Sequence, residues 1–465
     1  MAERDSDAVT EFADAPAFIH RLAFDRLPEE VVAGARRSLL DLIGVAAAGS
    51  RTRLAAIASA YAATQLCGSD RSARILFDGR RAVIAGAAFA GASTIDALDG
   101  HDGHALTKGH AGAALLPALL AVCDAARPDE RAARLDGREL LTCLVLGYEV
   151  ATRAGMALHA TVTDYHCSGA WNALGCAAIA ARLLALDDAC TRHALGIAEY
   201  FGPRGQILRA CDSPTMVKDG SGWGAHAGVT AALLARDGFT GAPALTVERD
   251  DAAPFWSDLG ARWRICEQYF KPYPVCRWAQ PAIEAALELQ RARSFAAEEV
   301  ASIAIESFDE AVALGSRCAM PRTTEEAQYS LAFPVAAALV FGRVGVDEVA
   351  GAGLGDSRVG RLVQVTGAVE DAEFSQRFPA QRWARVRITL ADGRTLVSNP
   401  EQARGNPENP LSDDELRGKY RKLATPVLGG ARAERIEHAV DALAVDPKAL
   451  RALLEDLLRS AVHQG

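Results

Sequence analysis

One stretch of the chain, DALDGHDGHALTKGHAG from Asp96 to Gly112, concentrates residue types that could carry acid–base chemistry. It holds three of the ten histidines, three aspartates and Lys108, and long apolar segments flank it. Buried polar groups cost free energy unless they are paired or used. Its four glycines favour a loop whose backbone can approach a ligand. Imidazole exchanges protons near neutral pH and a carboxylate can orient it, so we predict an active-site loop, with a self-hydrating polar loop as the alternative.

Three further segments place reactive side chains at the start of predicted helices. His166 precedes a helix of small residues, whose N-terminal dipole could face an anion, or it is a simple helix cap. Lys218 precedes a Gly-rich helix start and suits a substrate carboxylate, with an ordinary surface lysine as the alternative. Lys271 and Arg277, in KPYPVCRWAQP, could contact an anion at a domain junction or belong to a rigid linker.

A metal site is a competing interpretation of the loop. The pair His101-Asp102 is typical of helical phosphohydrolases that hold a metal ion, but such sites need further separated ligands. Lys108, between the histidines, disfavours a nearby cation. The chain has no G-x-S-x-G elbow, no P-loop and no dinucleotide fingerprint. We predict a site without metal and keep a metal-dependent hydrolase and a non-catalytic dicarboxylate-binding protein as alternatives.

The elements that must position these residues are mainly helical. Apolar residues at helical spacing predict helices over 27–50, 54–66, 81–97, 112–126, 137–160, 168–186, 188–200 and 222–236. Their many small residues permit close helix–helix approach.

The pattern changes to α+β after about residue 265. Strands are predicted within 302–309 and 383–400, with a hairpin turn at Asp392-Gly393, and a helix over 325–342. The tail returns to helix, with a capping box in PLSDDEL and an amphipathic helix over 449–462. We predict a mainly α fold: a large all-helical domain formed by residues 1–266 and the tail 402–465, with a smaller α+β domain inserted at 267–401.

Composition narrows the classes of partner. The net charge of −9 over 465 residues disfavours nucleic acid, which needs a concentrated basic face. The acidic N-terminus lacks the layout of a signal peptide, and no apolar run is long enough to predict a membrane span. Ten scattered cysteines without CxxC pairs suggest buried thiols. We expect a cytoplasmic enzyme that binds neither nucleic acid nor membrane.

These segments, taken in order, resemble the MmgE/PrpD family over nearly the whole chain. The motifs are LPEEVVAGARRSLLDLIGVAAAGS, ALDGHDGHALTKGHAG, GYEVATRAG, TMVKDGSGWGAHAG, GFTGAPALTVE, KPYPVCRWAQPAIEAAL, YSLAFPVAAALV and ARGNPENPLSDDEL. Each motif alone is loose, but the ordered set is specific.

The resemblance implies a helical domain with a smaller lid-like domain, a homodimer, and reactions on small di- or tricarboxylates without metal or organic cofactor. The family includes 2-methylcitrate dehydratase, cis-aconitate decarboxylase and iminodisuccinate epimerase. Residues that match the family's site are Asp99, Asp102, His104, His110, His166 and Lys218. Candidate substrate-binding residues are Lys108, Lys271, Cys276, Arg277 and Gln280.

The chain also departs from the family pattern. Gly103 replaces a threonine, His101 replaces the middle aspartate, and His110 is followed by alanine instead of proline. Cys276 and Gln280 lie where members often carry a histidine. These differences indicate an altered set of catalytic groups and a substrate that differs from those of better-known members.

The chemistry predicted is proton transfer next to a carboxylate. Such a step leads to dehydration, which we favour, to epimerisation, or, with loss of CO2, to decarboxylation. All three need a base, a proton donor and cations that stabilise enolate-like charge. We expect His166 or Asp99 as the base, His110 or His104 as the donor, and Lys218 with Lys108 as the anion clamp.

Overall fold

A computed structural model describes residues 12, 14–68, 70–315 and 320–461. Helices make up 59% and strands 9% of the structure, which confirms the mainly α prediction. The helices of the first part are α1 (Ala15–Arg21), α2 (Glu29–Gly49), α3 (Arg53–Gln65), α4 (Ile84–Asp96), α5 (Gly112–Asp124), α6 (Gly137–Thr161), α7 (Gly169–Leu183), α8 (Asp188–Phe201), α9 (Ile207–Asp212), α10 (Ser221–Arg236) and α11 (Leu245–Glu248).

The remaining helices belong to the second part and the tail. They are α12 (Gln280–Arg293), α13 (Asp309–Gly315), α14 (Thr324–Gln328), α15 (Ala332–Phe341), α16 (Val346–Ala350), α17 (Ser357–Gln364), α18 (Ala372–Arg377), α19 (Asp413–Leu428), α20 (Gly430–Ala442) and α21 (Ala449–Leu457). The predicted capping box is confirmed, since Ser412 and Glu415 cap the start of α19 reciprocally.

The strands form one sheet of five and two short pairs. They are β1 (Ser72–Arg74), β2 (Arg81–Val83), β3 (Gly103–His104), β4 (Gln268–Tyr269), β5 (Val300–Ser307), β6 (Thr366–Glu370), β7 (Trp383–Leu390), β8 (Thr395–Val397) and β9 (Glu401–Gln402). In the sheet the order is β6-β5-β7-β8, with β5–β6 parallel and the others antiparallel, and β9 pairs with β7. The predicted hairpin at Asp392-Gly393 is confirmed, because β7 and β8 pair across it.

Two hydrophobic cores organise these elements. The larger extends from Phe12 to Ile265 and continues with tail residues from Tyr420 to Ala461. The smaller extends from Val275 to Leu390 and contains the inner face of the sheet with α12 and α15. The tail therefore packs on the first helices, with α19 against α2. The domain boundaries drawn from the sequence stay a prediction.

Small residues allow the helices of the larger core to touch, as the sequence predicted. On α10, a Cβ atom at Gly228 would lie 2.3 Å from the Ala173 carbonyl oxygen of α7, and one at Gly224 would lie 2.8 Å from the Cα of Gly169. Such distances are too short for any side chain. Helix α6 is long and apolar enough to span a membrane by length and composition, but its apolar window is wholly buried inside the protein.

Some element boundaries differ from the sequence predictions. The predicted helix at 325–342 is two helices, because Pro334 lacks an N–H and its ring clashes with the carbonyl four residues earlier. The predicted helix at 81–97 begins as β2, which pairs with β1. The last predicted helix ends at Leu457, and residue 462, its predicted end, lies outside the described residues, as do residues 1–11 of the acidic N-terminus.

The nine cysteines in the described ranges are all free thiols, most of them at least partly buried. This agrees with the prediction that the scattered cysteines are buried thiols, which pack as small apolar side chains. The reduced, cytoplasmic location expected from them stays a prediction.

Candidate active site

The loop between α4 and α5 is buried at the junction of the two cores. Its strand β3 pairs with β4 through Gly103–Tyr269 and His104–Gln268, which ties it to the segment that leads into the smaller core. Asp99, His101 and Asp102 are at most 4% exposed. The polar groups are therefore held by protein, and a self-hydrating surface loop does not describe them.

Asp99 and Lys271 form a buried ion pair at the centre of the site. The Lys271 ammonium group donates to the Asp99 carboxylate and, at 3.3 Å, to the Asp99 carbonyl oxygen. Burial alone would raise the pKa of Asp99, but Lys271 and Lys218 outweigh it and hold the pKa below its ordinary value. Burial alone would lower the pKa of Lys271, but the negative charge of Asp99 has the larger effect, so the pKa of Lys271 is raised. Both groups stay charged at neutral pH.

His110 presents a free imidazole nitrogen beside this pair. Its Nδ1 lies 2.5 Å from the Asp102 carbonyl oxygen, which can only accept, so Nδ1 carries the hydrogen. Its Nε2 lies 3.8 Å from the Asp99 carboxylate. Burial and the charge of Lys271 lower the pKa of His110 to about 3. At neutral pH the ring is neutral, with a lone pair on Nε2 that can accept a proton.

Lys218 reaches the same site from the turn before α10. Its backbone has a φ of +48°, a left-handed conformation that costs a non-glycine residue about 1 kcal/mol. Its ammonium group donates to Gln328 Oε1 at 2.5 Å and lies 4.8 Å from the centroid of the Tyr329 ring. Gln328 Oε1 also accepts from the Asp99 backbone N–H at 2.9 Å. Gln328, which the sequence did not single out, therefore links Lys218 to the loop.

Three more cationic side chains lie around the site, each against the face of an aromatic ring. Lys108 Nζ lies 4.6 Å from the Tyr165 ring centroid, and the guanidinium groups of Arg277 and Arg382 lie 4.6 and 5.6 Å from that of Tyr269. Burial lowers the pKa of Arg277 to about 10, so it stays charged at neutral pH. Stacked, partly desolvated cations attract carboxylates strongly. Sequence reasoning missed Arg382, which follows no motif.

Asp219 is a second acid that the sequence reasoning missed, although it follows Lys218 directly. It is buried and accepts from the Ser168 hydroxyl and, at 3.0 Å, from the Ser168 N–H. Burial and the neighbouring Asp96 raise the pKa of Asp219 to about 8, so it holds a proton at neutral pH. The Ser168 hydroxyl also accepts a hydrogen bond from the backbone N–H of His110 at 2.8 Å, which connects Asp219 to the loop.

These groups enclose a small cavity of about 30 Å³ between the two cores. Its walls combine charged, aromatic and thiol side chains, and they are Asp99, Lys108, His110, Tyr165, Ile207, Cys211, Asp219, Tyr269, Cys276, Arg277, Trp278, Tyr329 and Arg382. Five of the eleven predicted site residues lie in this wall. Two more contact it, since the ammonium group of Lys271 binds Asp99 and that of Lys218 lies against the Tyr329 ring. Burial raises the pKa of the Cys276 thiol to about 12, so it is a neutral wall group.

Two predicted residues of the loop lie elsewhere. Asp102 accepts a hydrogen bond from the Tyr148 hydroxyl on α6, behind the loop. His104 binds Glu267 through Nε2 at 3.1 Å, on the outer side of β3. A chain that turns at glycines does not present successive side chains to one face, so neighbours in sequence separate. Their positions support a role in holding the loop and not direct contact with a substrate.

His166 and Gln280 are also outside the cavity wall. The Nδ1 of His166 lies 3.3 Å from the Arg204 carbonyl oxygen, and the ring is near the surface. Gln280 donates to the carbonyl oxygens of Tyr273 and Val275 at 3.0 and 2.9 Å, which closes the turn before α12. The catalytic role of His166 stays a prediction, which turnover of a His166→Asn variant tests.

Asp102→Asn is expected to make stability less dependent on pH. Burial raises the pKa of Asp102 to about 7, so the folded protein keeps a proton that the unfolded chain releases. The wild-type protein therefore loses stability as the pH rises from about 4 to about 7, and asparagine, which is neutral throughout, removes that loss. Urea unfolding at about pH 5 and about pH 8 measures it, and equal pH slopes for both proteins would contradict the assignment.

Within the described part of the chain, one group of side chains offers ligand atoms close enough together for a metal ion. Ligand atoms of Asp99, His101 and His110 lie within 4.8 Å of one another. The Lys271 ammonium group already binds the Asp99 carboxylate, and Lys218 adds a second positive charge nearby. A divalent cation would sit against both charges, so the donor set does not suit one.

Comparisons with known proteins agree with this architecture. The family descriptions MmgE/PrpD N-terminal domain and MmgE/PrpD C-terminal domain match residues 14–256 and 273–444. A cis-aconitate decarboxylase-like protein of Aspergillus oryzae is 27% identical, with 92% of this chain and 94% of the relative covered. The cis-aconitate decarboxylases of Mus musculus and Homo sapiens are 24% and 25% identical, with 91% and 90% of this chain and 89% and 88% of the relatives covered. The chain belongs to the MmgE/PrpD family.

Proposed function

We propose that this protein is a cofactor-independent lyase that decarboxylates a small unsaturated polycarboxylate of the cis-aconitate type. The observation that carries the proposal is the pair Asp99–Lys271 beside the free Nε2 of His110, within a wall of cations. The three curated relatives, named for cis-aconitate decarboxylation, support this reaction over the dehydration favoured from sequence.

The cations account for substrate binding. A tricarboxylate carries three negative charges, and Lys108, Arg277 and Arg382 border the cavity with aromatic rings that exclude water. A cavity of about 30 Å³ has room for water molecules but not for a polycarboxylate. Because the walls come from both cores, binding requires the cores to separate and close again over the substrate.

The chemical step follows from the positions of His110 and the lysines. The bond between carbon and the departing carboxylate breaks, CO2 leaves, and the electron pair stays on the substrate carbon, conjugated with a remaining carboxylate. Lys218 and Lys271 stabilise that enolate-like charge. His110 Nε2–H then gives its proton to carbon. The negative substrate supplies the driving force for protonating His110, because it offsets the burial and the Lys271 charge that lower the pKa in the free protein.

Dehydration is the second candidate, and one observation favours it. In the free protein His110 Nε2 is a base, which could abstract a proton next to a carboxylate and lead to loss of hydroxide or to epimerisation. The two reactions therefore start from opposite protonation states of one imidazole.

A substrate panel in deuterium oxide separates these reactions. The purified protein is incubated with cis-aconitate, 2-methylcitrate, citrate and iminodisuccinate, and CO2 and products are measured. CO2 release with one deuteron bound to carbon in the product is expected. Loss of water without CO2 would favour dehydration, and exchange without net change would favour epimerisation. A protein that binds these acids and transforms none of them would contradict a lyase.

We also propose a homodimer, from an apolar surface on the larger core. Ile57 and Tyr61 on α3, Val217, and Trp223 on α10 are large apolar side chains at least 41% exposed. They line one outer cavity of about 1230 Å³. Apolar patches of this kind are typical of protein interfaces, and a second copy of the chain is the occupant that the family resemblance implies.

Ile57→Asp is expected to weaken self-association at least about 30-fold, because a charge would be buried in an apolar interface. Light scattering over a dilution series measures the mass. Val445→Asp is the matched control, since Val445 is 80% exposed but belongs to the turn between α20 and α21. A wild-type protein that is monomeric at all concentrations, or equal weakening by both variants, would contradict this interface.

A further inference from the structure

His101 is a buried histidine that the proposed chemistry does not use. Its side chain is fully buried, and its Nδ1 lies 3.3 Å from the Leu98 carbonyl oxygen, so Nδ1 carries the hydrogen. Its Nε2 is buried without a hydrogen-bond partner among the described residues. Leaving a buried acceptor unpaired costs free energy, which a residue selected only for packing would avoid.

The His101 ring is close to two groups that exchange protons. The rings of His101 and His110 are edge-to-face with centroids 4.5 Å apart. On its other side, His101 Nε2 lies 3.8 Å from Asp96 Oδ1. A ring nitrogen of His101 and one of His110 lie within 4.8 Å of each other. Neither separation is a direct hydrogen bond; a small ring rotation closes the gap to Asp96, and one bridging water spans the gap between the two rings.

Asp96 connects this row to the outside of the larger core. It is the last residue of α4, its other oxygen accepts from the Ser221 N–H at 3.3 Å, and it lines the outer cavity of about 1230 Å³. That cavity is also lined by half-exposed residues such as Trp223. His110 lines the inner cavity instead. The row Asp96–His101–His110 therefore joins the outer cavity to the site.

We propose that Asp96 and His101 form a proton relay that recharges His110 while the two cores are closed. The proposal rests on the proposed function, because decarboxylation consumes one proton from the site in each turnover. The Asp96 O–H bond breaks as a bond to His101 Nε2 forms. That N–H bond then breaks as the proton passes to His110 Nε2, and His101 returns to its neutral form. Asp96, which is 4% exposed, takes its next proton from water inside the outer cavity, beneath the exposed rim residues that the proposed dimer contact covers.

The charges around the row agree with this direction of transfer. Burial raises the pKa of Asp96 to about 6, with Lys218 opposing and Asp99 adding to the shift, so Asp96 loads and releases a proton near neutral pH. Burial, His110 and Lys271 lower the pKa of His101, which makes it a transient carrier and not a resting place for the proton. Asp219, which is coupled to Asp96 by charge, is the other acid facing this point.

His101 and Asp96 are thus positioning residues that act through His110, and proton kinetics test them. The variants are His101→Asn and Asp96→Asn, with His226→Asn as the control for a histidine on α10 outside the row. The probe is tricarballylate, a saturated tricarboxylate that cannot react. Stopped-flow with a pH indicator follows proton uptake when it binds. Steady-state turnover of cis-aconitate is measured in H2O and D2O.

In both variants we expect proton uptake to slow about 10-fold or more with its final amount unchanged, and kcat to fall similarly while KM is kept. The solvent isotope effect on kcat should rise, and imidazole should partly restore His101→Gly. His226→Asn should match the wild type. His101→Gln serves as a second carrier-deficient variant if an asparagine variant does not fold.

Two results would overturn the relay. One is wild-type uptake kinetics and kcat in both variants while the wild-type protein binds and converts tricarboxylates normally. The other is stoichiometric metal in the purified protein that is lost in His101→Asn, which would make the group a metal site. Failure of the wild-type protein to bind or convert any tricarboxylate would instead overturn the proposed function.

Discussion

Asp99→Asn is expected to abolish turnover and to lower the free energy of unfolding by about 3–5 kcal/mol, since it leaves the Lys271 ammonium group buried without a counter-charge. Lys271 is fully buried, and its other polar contact here is the Asp99 carbonyl oxygen. Asparagine keeps the shape of the carboxylate and removes only its charge. The effect on stability therefore measures the charge pair and not a cavity.

A double variant separates stability from catalysis. Asp99→Asn combined with Lys271→Met removes both charges, so it should recover most of the lost stability, because neutral replacement of a buried ion pair is often tolerated. Turnover should stay absent, since the cation that stabilises the developing charge is gone. Urea unfolding and product formation measure the two effects. Recovery of turnover in the double variant would contradict the catalytic role of the pair.

The helical bundle was predicted well because helices, turns and caps depend on residues that are close together in the sequence. Small residues at helical spacing in α4, α7 and α10 predict close packing, and the glycines of α10 indeed touch α7. The hairpin at Asp392-Gly393 and the cap at Ser412 also depend on neighbouring residues alone. The prediction failed at Pro334, where apolar residues at helical spacing favour one helix but the proline interrupts it. The structure has two helices there.

The site was predicted in part because its charges cluster in sequence, but orientation was not predictable. Asp99 and Asp102 are three residues apart in one loop, yet one meets Lys271 and the other Tyr148. A loop has no fixed period, so spacing does not tell which face a side chain takes. Gln328 and Arg382 come from the smaller core, more than 200 residues after the loop, and only the folded chain brings them to it.

Lys419 illustrates a further limit of sequence reasoning. It lies on α19 in the tail, and its ammonium group donates to Asp41 on α2 at 2.5 Å and to the Gly100 carbonyl oxygen at 2.6 Å. It thus fixes the loop from behind, between Asp99 and His101. In sequence Lys419 is one of several charged residues on an amphipathic helix, and nothing local marks it as part of the site.

His110→Asn is expected to reduce kcat by about 10²–10⁴-fold, the usual contribution of a positioned acid or base, with a small change in KM. The imidazole Nδ1–H donates to the Asp102 carbonyl oxygen and the backbone N–H of His110 donates to the Ser168 hydroxyl, so the ring is held with its Nε2 free. Asparagine can keep a hydrogen bond to the carbonyl but cannot carry the proton. The fold should survive, because no charge is left unpaired.

The same variant has a signature in ligand binding that does not depend on turnover. In the free protein the pKa of His110 is about 3, and a bound polycarboxylate raises it, so binding takes up a proton at neutral pH. By linkage the affinity must then strengthen as the pH falls, by up to about tenfold per pH unit for one proton. Calorimetry of tricarballylate binding between about pH 6 and about pH 8, in buffers of different ionisation enthalpy, measures both the slope and the proton count.

His110→Asn should bind with a flatter slope and without proton uptake, whereas His226→Asn should behave as the wild type. A slope unchanged in His110→Asn would assign the proton to another group, with Asp96 and Asp219 next in line because these buried acids contact the site and their pKa values, about 6 and about 8, lie on either side of neutrality.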